Sequence, residues 1–157
     1  MSAEPMAAAL GRIPSGLFVL TVERGDSETG MLASWVQQCS FNPPLISVAI
    51  QPKRDIAGLL TIDSHFTINI LEDTQTDMIV HFGRGFPLQE AAFAGLEVIR
   101  GQSNGPILAE ALAFLTCQVK SKHSAGDHDL FLAQVIDGRL LDEGHPMVHI
   151  RKTGFHY

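Results

Sequence analysis

Charged residues are scarce in this 157-residue sequence, and positively charged ones are the scarcer kind. Asp, Glu, Lys and Arg make up 18% of the chain, against roughly 25% in an average soluble domain. The 11 Lys and Arg residues face 17 Asp and Glu residues, so the formal net charge is −6. Because proteins that bind nucleic acid carry a basic surface, we predict no nucleic-acid partner. The low charge also indicates either an unusually apolar surface or one partly covered by another subunit.

Long apolar runs are absent as well. No stretch approaches the roughly 20 residues that span a bilayer, although 45% of the residues are hydrophobic. The opening residues, MSAEPMAAALGR, do not combine a basic segment with a long apolar core, so they do not form a secretory signal. We therefore expect no membrane partner, a cytoplasmic location, and one domain over residues 1–157. A domain of this length buries roughly 70% of its unfolded surface without disulfides or metals.

Cysteine is nearly absent, since the chain has only Cys39 and Cys117. No CxxC pair exists, which excludes a zinc ribbon and a thioredoxin-type redox centre. We expect both cysteines to be buried, reduced thiols. A cluster of His123, Asp127, His128 and Asp129 falls within seven positions, but no second cluster completes three or four ligands. We therefore predict no metal site.

Short apolar and β-branched segments dominate what the sequence does contain. Strands are predicted at residues 17–22, 30–40, 45–50, 65–71, 115–120, 130–136 and 147–150. Short helices are predicted at residues 54–62 and 74–82. Because the strands do not alternate regularly with long helices, the pattern favours a mainly β fold, a small antiparallel barrel with a few short helices.

Residues 30–40 (GMLASWVQQCS) are unusual for a strand, since both faces mix apolar with small polar side chains. Such a strand suits a ligand that contacts backbone and small hydroxyl groups. Cations follow at Lys53 and Arg54, at a predicted helix start that also favours phosphate, and at Arg84. These features indicate a site for an anionic aromatic cofactor, a nucleotide or a flavin.

A hydrolase is the alternative that the motifs leave open. Residues 101–105 (GQSNG) match the G-x-S-x-G pattern of a nucleophile elbow, and Asp129 and His149 follow in the required order. An elbow needs a strand before the serine and a helix after it, whereas Pro106 follows this motif at once. A surface loop explains the motif equally well.

From RIPSGLFVLTV at residues 12–22 and ASWVQQCSFNPP at residues 33–44 to the Gly-Asp-His turn at residues 126–128, the sequence resembles the flavin reductase family of FMN-binding split barrels over nearly its whole length. The opening strand of that family is similar to residues 12–22 (RIPSGLFVLTV), its flavin-binding strand to residues 31–44 (MLASWVQQCSFNPP), and a neighbouring strand to residues 67–71 (TINIL). Its Gly-Asp-His turn matches residues 126–128. The C-terminal flavin reductase domain of oxygen-reducing flavodiiron proteins is a narrower likeness, through ASWVQQCSFNPP, HFGRGF, NGPILAEALAFLTCQV and VHIRKTGFHY.

The resemblance implies a split, antiparallel β-barrel of Greek-key-like topology that binds FMN, with FAD as an alternative. Hydride would pass to the flavin from NADH or NADPH. It implies that residues 33–36 (Ala33, Ser34, Trp35 and Val36) line the flavin, largely through backbone groups. His128 would lie near the reactive edge of the flavin, where it would orient the nicotinamide or stabilise reduced flavin.

Further residues of the implied site surround the phosphate and the ribityl chain. Gln38 and Ser40 would approach these groups, Lys53 and Arg54 would neutralise the phosphate, and Asn69 would support the site from a neighbouring strand. In an acidic protein the few cations must be concentrated near such a cofactor. We expect that concentration at Lys53, Arg54, Arg84, Arg151 and Lys152.

The family likeness also bears on partners. A split barrel closes its flavin site against a second copy, so we expect a homodimer whose interface accounts for the low charge. Flavodiiron proteins carry a diiron domain and a flavodoxin-like domain that are not found in this sequence, so oxygen reduction at iron is not expected of it. The electron acceptor would be an unknown partner. A non-catalytic flavin-binding module that relays electrons to a partner protein is the second hypothesis.

Overall fold

The computed structural model describes residues 3–101 and 104–157. The helical segments of this part are α1 (Glu4–Leu10), a 3₁₀-helix (Asp55–Leu59) and α2 (Thr76–Gly83). Its strands are β1 (Ser15–Gly16), β2 (Phe18–Arg24), β3 (Ser27–Ala33), β4 (Val36–Phe41), β5 (Pro44–Ile50), β6 (His65–Ile70), β7 (Val98–Ile99), β8 (Ile107–Leu108), β9 (Ala113–Ala125), β10 (His128–Leu140) and β11 (Val148–His149). The mainly β fold is therefore confirmed. Among the described residues, no helix is both long enough and apolar enough to cross a bilayer.

Seven strands form one antiparallel sheet in the order β3-β2-β6-β9-β10-β5-β4. Two small pairs, β1 with β11 and β7 with β8, lie outside it. The long β9–β10 hairpin turns at Gly126, whose φ of 62° is a left-handed conformation that glycine adopts without strain. This turn delivers His128 to the first position of β10.

The two outermost strands of the sheet, β3 and β4, follow each other directly in the chain. Only Ser34 and Trp35 separate the end of β3 from the start of β4. Because a chain segment spans at most about 3.6 Å per residue, the two sheet edges must approach each other at this point. The sheet therefore curls into a barrel whose seam is crossed by backbone at Ser34 and Trp35.

Two hydrophobic clusters hold the curled sheet. One fills its interior and includes Leu20, Val48, Phe66, Cys117 and Phe131, all of which are completely buried. The other packs α2 and the following loop against the outer face of the sheet, through residues such as Val19, Leu71, Phe82 and Phe93. This second cluster fixes the position of α2 beside β3.

A core network of buried polar groups ties a loop to the sheet. Its centre is Asn69, which is fully buried on β6. The Asn69 amide Nδ2 donates to the carbonyl of Val19 over 3.1 Å, and its Oδ1 accepts from the backbone N–H of Leu108 over 2.8 Å. The side chain thus links β2, β6 and β8.

Two threonine hydroxyls complete the core network. Thr21 Oγ1 donates to the carbonyl of Pro106 over 2.7 Å, and Thr67 Oγ1 donates to the carbonyl of Gly105 over 3.2 Å. The loop lies so close to β2 that a Cβ built on Gly105 would stand 2.3 Å from the carbonyl oxygen of Thr21. The close approach and a φ of 121° both require glycine at this position.

Several local predictions need correction. The single strand predicted at residues 30–40 is wrong, because the chain leaves the sheet at Ser34 and Trp35 and re-enters at the opposite edge. The helix predicted at residues 54–62 is only a 3₁₀-helix, Asp55–Leu59. Cys39 is exposed on the edge strand β4, so only Cys117 is the buried thiol that we expected.

Candidate functional site

Trp35, at the seam of the barrel, is the centre of an aromatic cluster. The backbone carbonyl of Trp35 still accepts from the N–H of Ala49, so the residue stays attached to β5 while its ring leaves the sheet. The ring centroid lies 4.7 Å from the His128 imidazole and 5.3 Å from the Tyr157 ring. The guanidinium of Arg151 lies over the indole, 5.2 Å from its centroid. The seam therefore carries a flat apolar surface next to a cation.

His128 is buried to 7% exposure, and both of its ring nitrogens have side-chain partners. Nδ1 lies 2.6 Å from the Asp127 carboxylate, and Nε2 lies 2.5 Å from the Tyr157 hydroxyl. Because a carboxylate only accepts hydrogen bonds, Nδ1 carries the proton that is donated to Asp127, and Nε2 is directed at the Tyr157 hydroxyl. The hydrogen bond from His128 lowers the pKa of the exposed Asp127 carboxyl. Asp127 therefore fixes the orientation of the imidazole from its solvent side.

A groove runs along the seam in two compartments. The histidine compartment, about 430 Å³, is lined by Trp35, Gln51, Lys53, Arg54, Asp127, His128, Arg151 and residues 154–157. The strand compartment, about 290 Å³, is lined by Leu17, residues 31–35, residues 49–51, Arg54, Ile79, Gly83, His149 and Tyr157. A cationic recess of about 200 Å³ continues the groove past Lys53 and Arg54 to Arg84.

Positive charge is concentrated in the groove of this acidic protein. Arg54 lines the two compartments and the recess alike. Across residues 3–101 and 104–157, the cations Lys53, Arg54 and Arg151 form no ion pair. Arg84 by contrast pairs with Glu90 at 2.9 Å and lies over the ring of Phe86. The three unpaired cations are available to an anionic ligand.

The sequence-predicted site residues fall into two groups. The structure brings together in the groove the side chains or backbones of Ala33, Ser34, Trp35, Lys53, Arg54 and His128. It places Arg84 in the cationic recess and Arg151 over Trp35. Val36 lines a separate depression, whose lining also includes Ser34 and Trp35.

The remaining predicted residues lie elsewhere. Gln38 and Ser40 are on the edge strand β4, where the Gln38 amide donates to the carbonyl of Ser40. Asn69 is fully buried, and its amide is used in the core network rather than in the groove. Lys152 lies in neither compartment. A flavin-contacting role for these residues stays a prediction, and for Asn69 the core network already explains the residue type.

Gln51 and Tyr157 are groove residues that sequence reasoning missed. Gln51 directly follows β5, so the turn at Pro52 places it beside Arg54. Tyr157 is the single tyrosine of the chain, in a tail that combines two cations with aromatic rings. Burial raises the pKa of its phenol, while the charges of Arg54 and Arg151 act in the opposite direction. The concentration of charge and aromatic rings in that tail was the available signal.

Two alternatives from the sequence can be compared with the geometry. Within the described ranges, no three His, Cys, Asp or Glu side chains are arranged to hold a metal ion.

The G-x-S-x-G motif connects the antiparallel strands β7 and β8 rather than a strand and a helix, and its Gln102 and Ser103 lie outside the described residues. His149 lies in β11, opposite Ser15. The elbow geometry of a hydrolase is therefore not seen on either side of the serine.

The groove suits a flat, anionic ligand. Ala33, Ser34 and Gly83 present small side chains, so a ring system can approach the backbone there. Trp35 supplies an aromatic face, and Lys53 and Arg54 supply positive charge for a phosphate. An antiparallel sheet curled to a seam, with a cationic aromatic groove along that seam, defines the class of split β-barrels.

Comparison with known proteins identifies the family. The chain belongs to the flavin reductase like domain family, whose family model matches residues 10–156. It is 40% identical over 151 residues to diflavin flavoprotein A 1 of a Synechocystis species. That match covers 95% of this chain and 26% of the relative, so the chain spans about a quarter of the length of such curated relatives.

Solved structures of flavin reductases share the fold. The NADH:FAD oxidoreductase SgcE6 of Streptomyces globisporus superposes with a TM-score of 0.84 at 27% identity, over 92% of this chain and 86% of that one. BorF, the flavin reductase component of a bacterial two-component tryptophan halogenase, gives 0.82 at 25% identity, over 98% and 95%. The predicted resemblance to flavin reductases and the split-barrel fold are both confirmed.

Proposed function

We propose that this protein binds FMN in the groove at the barrel seam and acts as an NAD(P)H:flavin oxidoreductase. The observation that carries the proposal is the juxtaposition of the unpaired cations Lys53 and Arg54 with the aromatic surface of Trp35 and the oriented imidazole of His128. SgcE6, a structural neighbour, is an NADH:FAD oxidoreductase whose complex with NAD and FAD fragments is also similar in fold. FAD is therefore the alternative flavin.

Each group in the groove has a role in this proposal. Lys53 and Arg54 hold the phosphate, and backbone groups at Ala33 and Ser34 line the flavin ring. A bound flavin supplies the two-electron acceptor, so the protein contributes mainly positioning and electrostatics. His128 Nε2 orients the nicotinamide carboxamide, while Asp127 holds the ring through Nδ1. Trp35 provides the apolar surface on which flat rings rest.

A homodimer in the cytoplasm belongs to the same proposal. Its support is the low charge of the chain together with large exposed apolar residues such as Phe41, Ile136, Leu140, Val148 and Ile150. Burying such residues between two copies would remove apolar surface from water. Light scattering at micromolar concentration tests this point, and a 17 kDa monomer would contradict the dimer.

The second candidate is a relay module that binds flavin but does not oxidise nicotinamide. Its support is that the chain spans only about a quarter of the diflavin flavoproteins that it resembles. The electron acceptor of this chain would then be another protein or domain.

One experiment separates the two candidates. The purified protein is denatured to release its flavin, which chromatography identifies as FMN or FAD. Native flavin-loaded protein is then mixed anaerobically with NADH or NADPH while the flavin absorbance is followed. Bleaching with either donor supports the reductase, and persistent colour with both supports the relay module. A protein that takes up no flavin contradicts both.

A further inference from the structure

Four residues line both the histidine compartment and the strand compartment, namely Trp35, Gln51, Arg54 and Tyr157. The compartments measure about 430 and 290 Å³, near the lower end of the roughly 300–1,000 Å³ typical of a site for one small molecule. Of the four residues shared by the compartments, Trp35, Gln51 and Arg54 take part in backbone hydrogen bonds, whereas none among the described residues involves Tyr157.

Tyr157 is weakly held where it stands. The tail is fixed upstream, where the N–H of Gly154 donates to the carbonyl of Ala7 in α1 over 2.6 Å. Beyond Phe155, the described part of the chain shows no backbone hydrogen bond. Tyr157 itself is 62% exposed and is positioned by its hydroxyl bond to His128 and its ring contact with Trp35. Both interactions can be exchanged for equivalent ones with a ligand.

The two contacts of Tyr157 are those that a nicotinamide would require. Nicotinamide is a flat ring that carries a carboxamide, whose oxygen and nitrogen can accept from or donate to a ring nitrogen. The tyrosine offers a flat ring beside Trp35 and a hydroxyl at Nε2 of His128. Resting on the proposed function, we infer that Tyr157 occupies the nicotinamide position in the ligand-free groove and sets the affinity for the dinucleotide by competing with it.

Competition by Tyr157 predicts that removing its ring tightens nicotinamide binding, whereas removing a residue that only lines the site would not. In Tyr157→Ala the nicotinamide no longer has to displace the tyrosine ring. This variant is therefore expected to bind the nicotinamide part roughly tenfold more tightly, which corresponds to one hydrogen bond and one aromatic contact together. Tyr157→Phe keeps the ring and loses the hydroxyl bond to His128. It is expected to show a smaller gain, about threefold.

The test uses the full chain loaded with flavin, with oxidised nicotinamide mononucleotide and AMP as separate probes. Trp35 is the only tryptophan, and it touches Tyr157, so its fluorescence reports on this position. Calorimetry provides a second measure of each dissociation constant. Tyr157→Ala is expected to tighten the binding of the mononucleotide and leave that of AMP unchanged. In steady-state kinetics the KM for NADH falls without a matching rise in kcat.

Ile62→Ala is the matched control, because Ile62 is a 56% exposed apolar residue that lines neither compartment. It is expected to leave both probe affinities unchanged. Equal or weaker mononucleotide binding by Tyr157→Ala overturns the inference and makes Tyr157 part of the wall of the site. A gain that is equal for AMP and the mononucleotide also overturns it, since the competition would then not concern the nicotinamide.

Failure of the proposed function gives a different result. If the wild-type protein takes up no flavin, or if its bound flavin is reduced by neither NADH nor NADPH, the reductase proposal fails before any variant is compared. If the wild-type protein is reduced normally but the Tyr157 variants bind the mononucleotide with wild-type affinity, the reductase proposal stands and the competition by Tyr157 is refuted.

Discussion

Asn69 and His128 are both buried polar side chains, yet the protein holds them in opposite ways. Asn69 bonds to backbone groups on two neighbouring elements, at Val19 and Leu108. His128 bonds to two side chains, Asp127 and Tyr157, both of which are exposed. Backbone partners in a sheet cannot move without disrupting it, whereas exposed side chains can. The core network is therefore fixed by the sheet, whereas His128 is held by side chains that are free to adopt other rotamers.

The largest expected effect is the loss of stability on disrupting the core network at Gly105. Gly105→Ala would put a Cβ at 2.3 Å from the Thr21 carbonyl and force alanine to a φ of 121°. We expect a loss of about 3–5 kcal/mol in the free energy of unfolding, measured by urea denaturation. The control is Gly58→Ala, where a Cβ meets no atom within 4 Å. A Gly105→Ala variant as stable as wild type would show that the loop is not tied to β2.

Removing the Asn69 amide comes next. Asn69→Ala leaves the Leu108 N–H and the Val19 carbonyl buried without this partner, and we expect a loss of about 2–4 kcal/mol in unfolding free energy. Gln38→Ala removes an exposed amide and is expected to change it by less than about 0.5 kcal/mol. Flavin affinity of any folded Asn69 variant should stay close to wild type. A selective loss of flavin binding would instead return Asn69 to the site.

On the groove side, Arg54 carries the largest expected effect. Arg54→Ala removes the cation that lines the recess and both compartments. We expect flavin to bind roughly 10- to 100-fold more weakly, measured by fluorescence titration, with little change in unfolding free energy. Arg139→Ala, which removes an arginine outside the groove, is the control. Equal flavin affinity in both variants would contradict the assigned phosphate role.

His128 should show a smaller and more specific effect. His128→Ala is expected to slow hydride transfer about tenfold in anaerobic stopped-flow measurements, because the nicotinamide loses its orienting partner. Flavin affinity should change little. If the transfer rate and the nicotinamide affinity are both unchanged, His128 does not belong to the site.

The smallest expected effect concerns the reactivity of the two thiols, Cys117 in the core and Cys39 on the surface. Burial raises the pKa of the Cys117 thiol to about 12, and only the thiolate reacts with a disulfide reagent. At pH 8 the native protein is expected to titrate one thiol, Cys39, and the second only after denaturation. Two fast thiols in the native protein would show that the barrel interior opens readily.

The sequence predicted these two regions unequally well. Strands such as β2, β5, β6, β9 and β10 were predicted, because the alternation of side chains and the turn residues that bound a strand are local signals. The break at Ser34 and Trp35 was not, since nothing in GMLASWVQQCS marks where the chain changes sheet edges. That break is decided by closure of the barrel, a long-range effect.

Within the site, the cations were predicted from charge along the chain, whereas His128 and Asn69 were implied by the family resemblance. The partners of Asn69 at residues 19 and 108 are brought to it only by folding, so the core network was not predicted. Tyr157 was missed for the same reason, since 29 positions separate it from His128. Side-chain chemistry could be predicted, whereas pairing across the fold could not.

The two-residue connection at Ser34 and Trp35 also joins the two edges of the sheet, β3 and β4, covalently. Side chains alternate between the faces of a strand, so one extra residue there would turn β4 over and move Val36 away from the interior cluster that it now packs against. Two extra residues would restore the alternation and lengthen the span between the sheet edges. Only an even number of inserted residues would keep the side chains of β4 on their present faces. The length of this connection sets the distance between the two edges of the sheet.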